Sequence, residues 1–544
     1  MFKAKFILGK SQQWINYNYN NFEIWLSSYE NTEIKNKIYK IIDNNKNIKN
    51  NLENLIKNTN EHFGIIVIYR AWALAAVDPC RSRPIFWTKL NKEILFSNNA
   101  LKLSNISNSN IDNNQRIAFQ MSGYTIGNGT LWKNIKNINS GELIFYNSYN
   151  SVNIIKYHLN YSAKITNNSF TSFKKELKNN IYLLIKNLIK KANGNTIVVP
   201  LSAGLDSRLI VSGLYEFKYK NVKCFSYGLK NNFESIASQK IAKKLGYKWQ
   251  FVEINNKISN TFYSSKEFIK FYNEYCDGCS TPGVQDLFAI SQLKKINYFD
   301  ENDIIVNGNS GDFISGGHIP NSAKYWKLSA NINNLINKIF DSHFNKHYSL
   351  WNELKNNKNK NVIKEEIFNQ IKDYRNISTA LSPHCMLELI ELENRQSKYV
   401  INFQRVYDFY NIKWLLPLWN KSFLKFWCKV PLKYKINQKL YKETLIELNM
   451  GNVWTHEYNF KQIISPPGIK YFRNFLKIFF ILLGKNTWHN FDKKYLSYWY
   501  DNICGQSIFP YKKIIKNKNN ARHFVSWHTL YAEKKCLKSD WQRN

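Results

Sequence analysis

Two short stretches carry residue types able to hold a phosphorylated ligand. The first is Val198-Val199-Pro200-Leu201-Ser202-Ala203-Gly204-Leu205-Asp206-Ser207-Arg208, an apolar run that empties into small residues and then into a helical start. Small residues let backbone N–H groups close around an anion, and a helix N-terminus adds a favourable dipole. Ser202 and Ser207 supply hydroxyls, and Asp206 is a carboxylate suited to a divalent cation that bridges phosphates. The competing reading is a plain strand-to-helix junction with Asp206-Ser207 as its cap. The GxxxxGK[ST] pattern is missing, which argues against an ordinary Walker-type site.

The second stretch, Val306-Asn307-Gly308-Asn309-Ser310-Gly311-Asp312-Phe313-Ile314-Ser315-Gly316-Gly317-His318, repeats the design. A short apolar strand again opens into glycines and small polar residues, with one carboxylate, Asp312, in the turn. Alone it reads equally as a glycine-rich loop capped by Asp312. As a pair, two carboxylates at the C-terminal ends of parallel strands suit Mg²⁺ held against a triphosphate.

The elements that must position these loops follow from periodicity. Residues up to about 160 read as strands and turns: His62–Tyr69, Trp72–Val77, Pro84–Trp87, Glu93–Ser97, Gly123–Gly127 and Glu142–Tyr146 are short apolar or alternating runs, and antiparallel pairing is expected. After Ser169 the period changes to helical, through Phe173, Leu177, Ile181, Leu184 and Leu188. Strand Thr196–Leu201, a helix from near Ser207, strand Val222–Tyr227, helix Phe233–Leu245 capped by Gly246, and strands Trp249–Ile254 and Ile304–Val306 then alternate as in a doubly wound sheet. Beyond about residue 330 the pattern is mostly helical. The expectation is an α/β protein, with a β-rich domain over 1–160 and, over 165–544, a parallel-sheet domain with a helical C-terminal part.

Composition bounds the rest. The 544 residues hold 77 Lys+Arg against 39 Asp+Glu, a formal charge of +38, with 44% hydrophobic and 16% aromatic residues. That is enough apolar material for real cores, so wholesale disorder is excluded. Lysine is spread among Asn, Ile and Tyr along the whole chain rather than gathered in one patch, which favours biased composition over a nucleic-acid surface. No apolar run reaches the length of a membrane span; Phe475–Leu483 is short and contains Lys477. With no signal peptide read at MFKAKFILGK and eight sparse cysteines, the expectation is a cytoplasmic protein with free thiols.

LSAGLDSR resembles the SGGxDS pyrophosphatase loop of the asparagine synthase superfamily, and NGNSGDFISGG resembles that family's second loop, SGEGSDExFGG. Weaker similarity lies in Trp72–Trp87 and Gly123–Glu142, which look like the family's glutaminase (Ntn-type) domain. Arg395-Gln396-Ser397, Pro417-Leu418-Trp419-Asn420 and Gln438-Lys439-Leu440-Tyr441-Lys442 look like the helical part of its synthetase domain. The resemblance implies that a substrate carboxylate attacks ATP to give an acyl-adenylate and pyrophosphate, and that a nitrogen nucleophile displaces AMP. On matching positions, Leu201, Ser202, Ala203, Gly204, Asp206 and Ser207 with Gly308, Asn309, Ser310 and Gly311 would surround the phosphates. Asp206 and Asp312 would bind Mg²⁺, and Ser226-Tyr227-Gly228 would border adenine. Lys461, following the Val453-Trp454 pair, would stabilise charge on the reacting groups.

The departures matter as much. Family glutaminases use an N-terminal cysteine, whereas this chain begins Met1-Phe2-Lys3 and its first cysteine is Cys80, so the N-terminal domain reads as a degenerate glutaminase. Asn309 and Phe313 stand where asparagine synthases carry Glu; Asn is no general base at neutral pH, which disfavours aspartate as the acceptor. Ala203 replaces a loop glycine, and Asn420 an Asp. Cys276 and Cys279 read as loop thiols rather than a zinc site, His318 as a surface or hydrogen-bonded loop residue, and the Phe475, Phe479, Leu482, Leu483 stripe as packing within the helical domain.

The expected activity is therefore an ATP- and Mg²⁺-dependent amide-forming ligase that takes a small carboxylic acid, an amino acid or a uronic acid, and ammonia or an amine. A homodimer is compatible, and a nucleic-acid partner is not favoured. The rival readings are a pyrophosphatase-loop enzyme that modifies tRNA and an inactive nucleotide-binding relative.

Overall fold

The computed structural model describes residues 3–9, 13–147, 149, 151–158, 165–326, 332–371, 382–455, 467–480, 482–496, 511–516 and 524–537. Strands β1 (Lys3–Ile7), β2 (Ile15–Tyr19), β3 (Phe22–Ser28), β4 (Phe63–Tyr69), β5 (Trp72–Val77), β6 (Phe86–Leu90), β7 (Glu93–Ser97), β8 (Lys136–Asn137), β9 (Glu142–Asn147) and β10 (Val152–Lys156) build two sheets. Their orders are β1-β7-β6-β8 and β10-β9-β5-β4-β3-β2. Pairing is antiparallel as expected, apart from β1 beside β7.

Side chains alternate across a strand, which explains why β4 is apolar almost throughout. Phe63, Ile65 and Val67 face the helices Asn31–Asp43 and Ile48–Asn58, whereas Ile66 and Ile68 meet Ile94, Phe96 and Ile144 between the two sheets. Helices Ala100–Ser107 and Asn113–Ser122 pack on the other sheet through Leu103 and Phe119. The result is a helix-sheet-sheet-helix stack. Reading this region as strands and turns alone was wrong: Ile34, Ile38 and Ile42 make a buried helical stripe that Asn and Lys dilute in the sequence. Gly123–Gly127 is also not a strand. Gly123, at φ +90°, ends the helix Asn113–Ser122, and Tyr124 makes only an isolated bridge to Ser280.

Strands β11 (Ile197–Pro200), β12 (Val222–Gly228), β13 (Lys248–Glu253), β14 (Ile304–Val306) and β15 (Lys413–Leu415) form a wholly parallel sheet ordered β13-β12-β11-β14-β15. Helix Phe170–Ala192 buries Phe173, Leu177, Ile181, Ile185 and Leu188, the stripe its period predicts. The chain winds outward from β11 through β12 to β13 and then returns to β14 on β11's other side. The strand order thus reverses between β11 and β14, where an open α/β sheet leaves a crevice at its carboxyl ends. Both small-residue loops leave the sheet at that point.

The remainder is mainly helical. Its stripe at Phe475, Phe479, Leu482 and Leu483 contradicts the expected packing: these residues are exposed, Leu482 by 94%. Helix Pro467–Phe480 packs instead through Phe480 on Trp488 and Phe491 and through Arg473 on Asp492, which turns the stripe outward. Cys276 lies with its Sγ 2.9 Å from that of Cys536, a proximity 260 residues apart in sequence that spacing could not reveal. No helix among the described residues is long and apolar enough to cross a membrane.

Candidate active site

The reversal point opens into a cavity of about 370 Å³, a usual size for a small-molecule site. Leu201, Ser202, Gly204, Asp206 and Ser207 line it from the first loop, and Gly308, Asn309, Ser310 and Asp312 from the second. The loops are interlocked: the Asp312 N–H donates to Asp206 Oδ2 (2.9 Å) and the Tyr441 hydroxyl to Asp206 Oδ1 (3.0 Å). Close approach requires glycine on the second loop. A Cβ on Gly311 would fall 2.3 Å from Asp206 Oδ1, and one on Gly308 would lie 2.9 Å from the Asp206 backbone carbonyl carbon. Ser310 takes a left-handed conformation (φ +70°), strained for a residue with a Cβ, and its Oγ donates to Gln396 Oε1 (2.8 Å).

The first loop is held from within. Ser207 Oγ accepts from the Ser202 N–H (3.1 Å), Ser202 Oγ accepts from the Gly204 N–H (3.2 Å), and Arg208 donates to the Ala203 carbonyl (2.8 Å). Deeper in the cavity, Phe225, Val400 and Phe403 supply apolar and aromatic surface, and the buried Ser226 Oγ has no hydrogen-bond partner among the described residues. A buried hydroxyl without a partner beside flat apolar walls fits a heterocycle that brings its own hydrogen-bonding atoms. Tyr227 and Tyr407 both donate to Asp286, which fixes Tyr227 at the wall.

The two carboxylates differ electrically. Burial and the neighbouring Asp312 charge push Asp206 up to about 7, against the hydrogen bonds from Tyr441 and the Asp312 amide. For Asp312 burial also acts upward, but the hydrogen bond and charge of His318 outweigh it and hold the group below the usual carboxylate range. A pair of facing carboxylates that raises the pKa of one member is a site where a divalent cation relieves repulsion, so the donor set fits Mg²⁺.

His318 is the hydrogen-bonded loop residue of the two options expected, and it also faces the site. Its Nε2 lies 3.0 Å from Asp312 Oδ2, and its Nδ1 pairs with the buried Glu391. It also lines a second cavity of about 570 Å³, whose wall includes Tyr124, Lys346, Leu350, Tyr399 and Arg395. Arg395 and Phe403 border both cavities, so the two are contiguous. Arg395 and Gln396 lie in a π-helical segment, Leu392–Val400, a form frequent at functional sites because it re-aims side chains.

Of the residues named from sequence, Ala203, Gly228 and Gly311 do not line the first cavity. Ala203 anchors Arg208, Gly228 ends β12, and Gly311 packs beneath Asp206. Lys461 lies outside the described residues. Sequence reasoning did not assign Tyr441, Asp286, Glu391 or Lys346 to the site. Tyr441 and Arg395 sat in segments already noted for resemblance, so the signal existed but their direction did not.

Carboxylate-bearing loops thus converge on one cavity at the reversal point of a parallel sheet. Residues 194–449 match the family model described as asparagine synthase. Among solved structures, glutamine phosphoribosylpyrophosphate amidotransferase from B. subtilis, complexed with ADP and GMP, aligns at 10% identity, covering 46% of this chain and 75% of its own, with a TM-score of 0.20. A structure titled as the allosteric regulatory enzyme of purine biosynthesis aligns at 11% identity over 46% of this chain and 58% of its own, also at 0.20. No curated protein matches the chain.

Proposed function

We propose that the chain is an amide-forming ligase that adenylates a small carboxylic acid at the expense of ATP and passes the acyl group to ammonia or an amine. The observation that supports this most is the interlock of the two loops, which aims Asp206 and Asp312 into one cavity ending at Phe225, Ser226 and Tyr227. In this reading the Ser202–Ser207 turn binds the leaving pyrophosphate and the apolar end takes adenine. Asp206 and Asp312 hold Mg²⁺, which neutralises charge on the departing phosphates. The acid occupies the second cavity, with Arg395 at the junction to orient its carboxylate toward the nucleotide and Lys346 to meet further negative charge. Tyr124, Tyr399 and Leu350 give that cavity an apolar wall, which favours an acid with a larger apolar body than aspartate.

Residues 1–160 act in this reading as a wall rather than a glutaminase. Lys398, fully buried, donates to the Thr125 (2.8 Å) and Gly127 (2.5 Å) carbonyls, tying that region to the π-helical segment. Cys80 is buried, and burial followed by the Asp78 charge pushes its thiol well above the ordinary range, the opposite of what a nucleophile needs. The test is acid-dependent ATP–pyrophosphate exchange across a panel of amino and uronic acids. Exchange with one acid, lost in Asp206→Ala and Asp312→Ala, is the expected result. Failure of the folded protein to bind Mg·ATP would remove the ligase reading.

A further inference from the structure

We propose that His343, His347 and Glu391 form a binding site for a first-row divalent cation, Zn²⁺ foremost. His343 and His347 stand four residues apart on the helix Ile332–His347, hence on one face and one turn apart. His343 is completely buried, and neither ring nitrogen has a hydrogen-bond partner among the described residues. Buried polar groups are almost always partnered, so an imidazole with two orphaned nitrogens points to a missing ligand. The ring of His347 lies 4.8 Å away, and His347 Nε2 is 3.0 Å from Glu391 Oε2. One donor atom from each of the three lies within 4.8 Å of the others.

Two imidazoles and a carboxylate are a donor set that zinc accepts when a fourth position is left to water or another ligand. With Zn–N distances of about 2.0–2.1 Å, the donors must close to roughly 3.3 Å from one another, which rotation about the imidazole side-chain bonds supplies. Glu391 is already oriented, because Gln396 Nε2 donates to its Oε1 (2.9 Å) and His318 pairs with the same oxygen. Outer hydrogen bonds of this kind are what aim a carboxylate ligand. His347 lines the second cavity, which gives an ion a route from solvent.

Two other clusters of similar composition lack these features. In His62, Asp78 and Cys80, the Asp78 oxygens are taken by the N–H groups of Phe63, Cys80 and Ser82 and by the Ser82 hydroxyl. In His384, Cys385 and Glu388, the carboxylate is paired with the Lys435 ammonium at 2.6 Å, whereas Arg395 and Lys346 stand 3.6 and 3.9 Å from Glu391. A bound ion at His343 would fasten the helix Ile332–His347 to the helix Pro383–Glu391 behind the second cavity.

The experiment uses the full-length protein, stripped with a chelator and titrated with Zn²⁺ against a chromophoric competitor, then with Co²⁺ for its d–d absorption. One Zn²⁺ per chain with Kd below about 1 μM, and Co²⁺ bands of four-coordinate intensity, are expected. His343→Phe, which fills the core position, and His347→Gln should each weaken that site by more than the roughly 10–100-fold that loss of an outer hydrogen bond costs. A wild-type Kd weaker than about 1 μM, or retention of the site by either variant that folds by circular dichroism, overturns the proposal. Neither readout involves nucleotide, so the result is separate from the fate of the ligase reading.

Discussion

The two contiguous cavities are built in opposite ways. The proposed nucleotide cavity draws its small polar residues mainly from two unbroken loops, 201–207 and 308–312, each leaving the end of a parallel strand, with Glu234, Asp286, Arg395 and Gln396 added from elsewhere. The second cavity collects Tyr124, Thr281, His347, Leu350, Tyr399 and His528 from segments spread over more than four hundred residues. Backbone N–H groups at a strand-to-helix turn will cradle any phosphate, so a short motif suffices for the first task. Recognising an acid requires a particular shape, which only distant side chains meeting in space supply. The comparison makes a prediction: damage to the loops should abolish activation of every acid, and damage to the second wall should alter which acid is used.

The largest effect is expected for Asp312→Asn, which keeps the shape and removes one charge. Acid-dependent exchange should fall by about 10²–10³-fold, the usual cost of one preorganised electrostatic partner, with every acid in the panel affected alike. A variant that lost exchange with one acid and kept it with another would break the division between the cavities. Next is Gly311→Ala. Its Cβ would meet Asp206 Oδ1 at 2.3 Å, so Asp206 must move, and a displacement near 1 Å costs about 10²-fold in turnover. Gly468→Ala, where nothing among the described residues lies within 4 Å of the added carbon, should leave kinetics unchanged. A smaller effect is expected for Lys346→Met: KM for the acid rises about tenfold with KM for ATP unchanged, as measured by steady-state kinetics on both substrates. Equal loss in both KM values would place Lys346 in the nucleotide cavity instead.

This difference in construction also sets what could be read from sequence. The parallel sheet and its loops were legible because apolar strand, small-residue turn and helix start are contiguous, and Ile304–Val306 was located to the residue. Tyr441 donates to Asp206 across 235 residues, and Gln396 meets Ser310 across 86, so their roles exist only after folding. The helices Asn31–Asp43 and Ile48–Asn58 were missed for another reason. Their buried stripes of Ile and Leu are two or three residues long amid Asn and Lys, too sparse to outweigh the neighbouring strand signals. The exposed Phe475 stripe misled in the reverse direction, since an amphipathic pattern states that a face is apolar and not what covers it.

The last prediction concerns pH and separates the two carboxylates within the nucleotide cavity. Asp206 is raised to about 7 by burial and by Asp312, whereas Asp312 is held low by His318. A carboxyl whose folded pKa lies above its unfolded one favours the fold in its protonated form. Its contribution is complete below about pH 4 and is lost as pH rises through 7. Nucleotide-free protein should therefore lose stability between about pH 4 and 7 and level off above, and Asp206→Asn should flatten that slope in thermal melts. Cation binding runs the other way, because Asp206 must ionise to serve as a ligand. Mg·ATP affinity should rise by up to about tenfold per pH unit below 7 and level off above it, with proton release visible by calorimetry in buffers of different ionisation enthalpy. Asp312, already ionised across this window, adds no second step. A flat affinity between pH 6 and 8 would mean that Asp206 does not hold the cation, leaving Asp312 as its anchor and the first loop as a binder of phosphate alone.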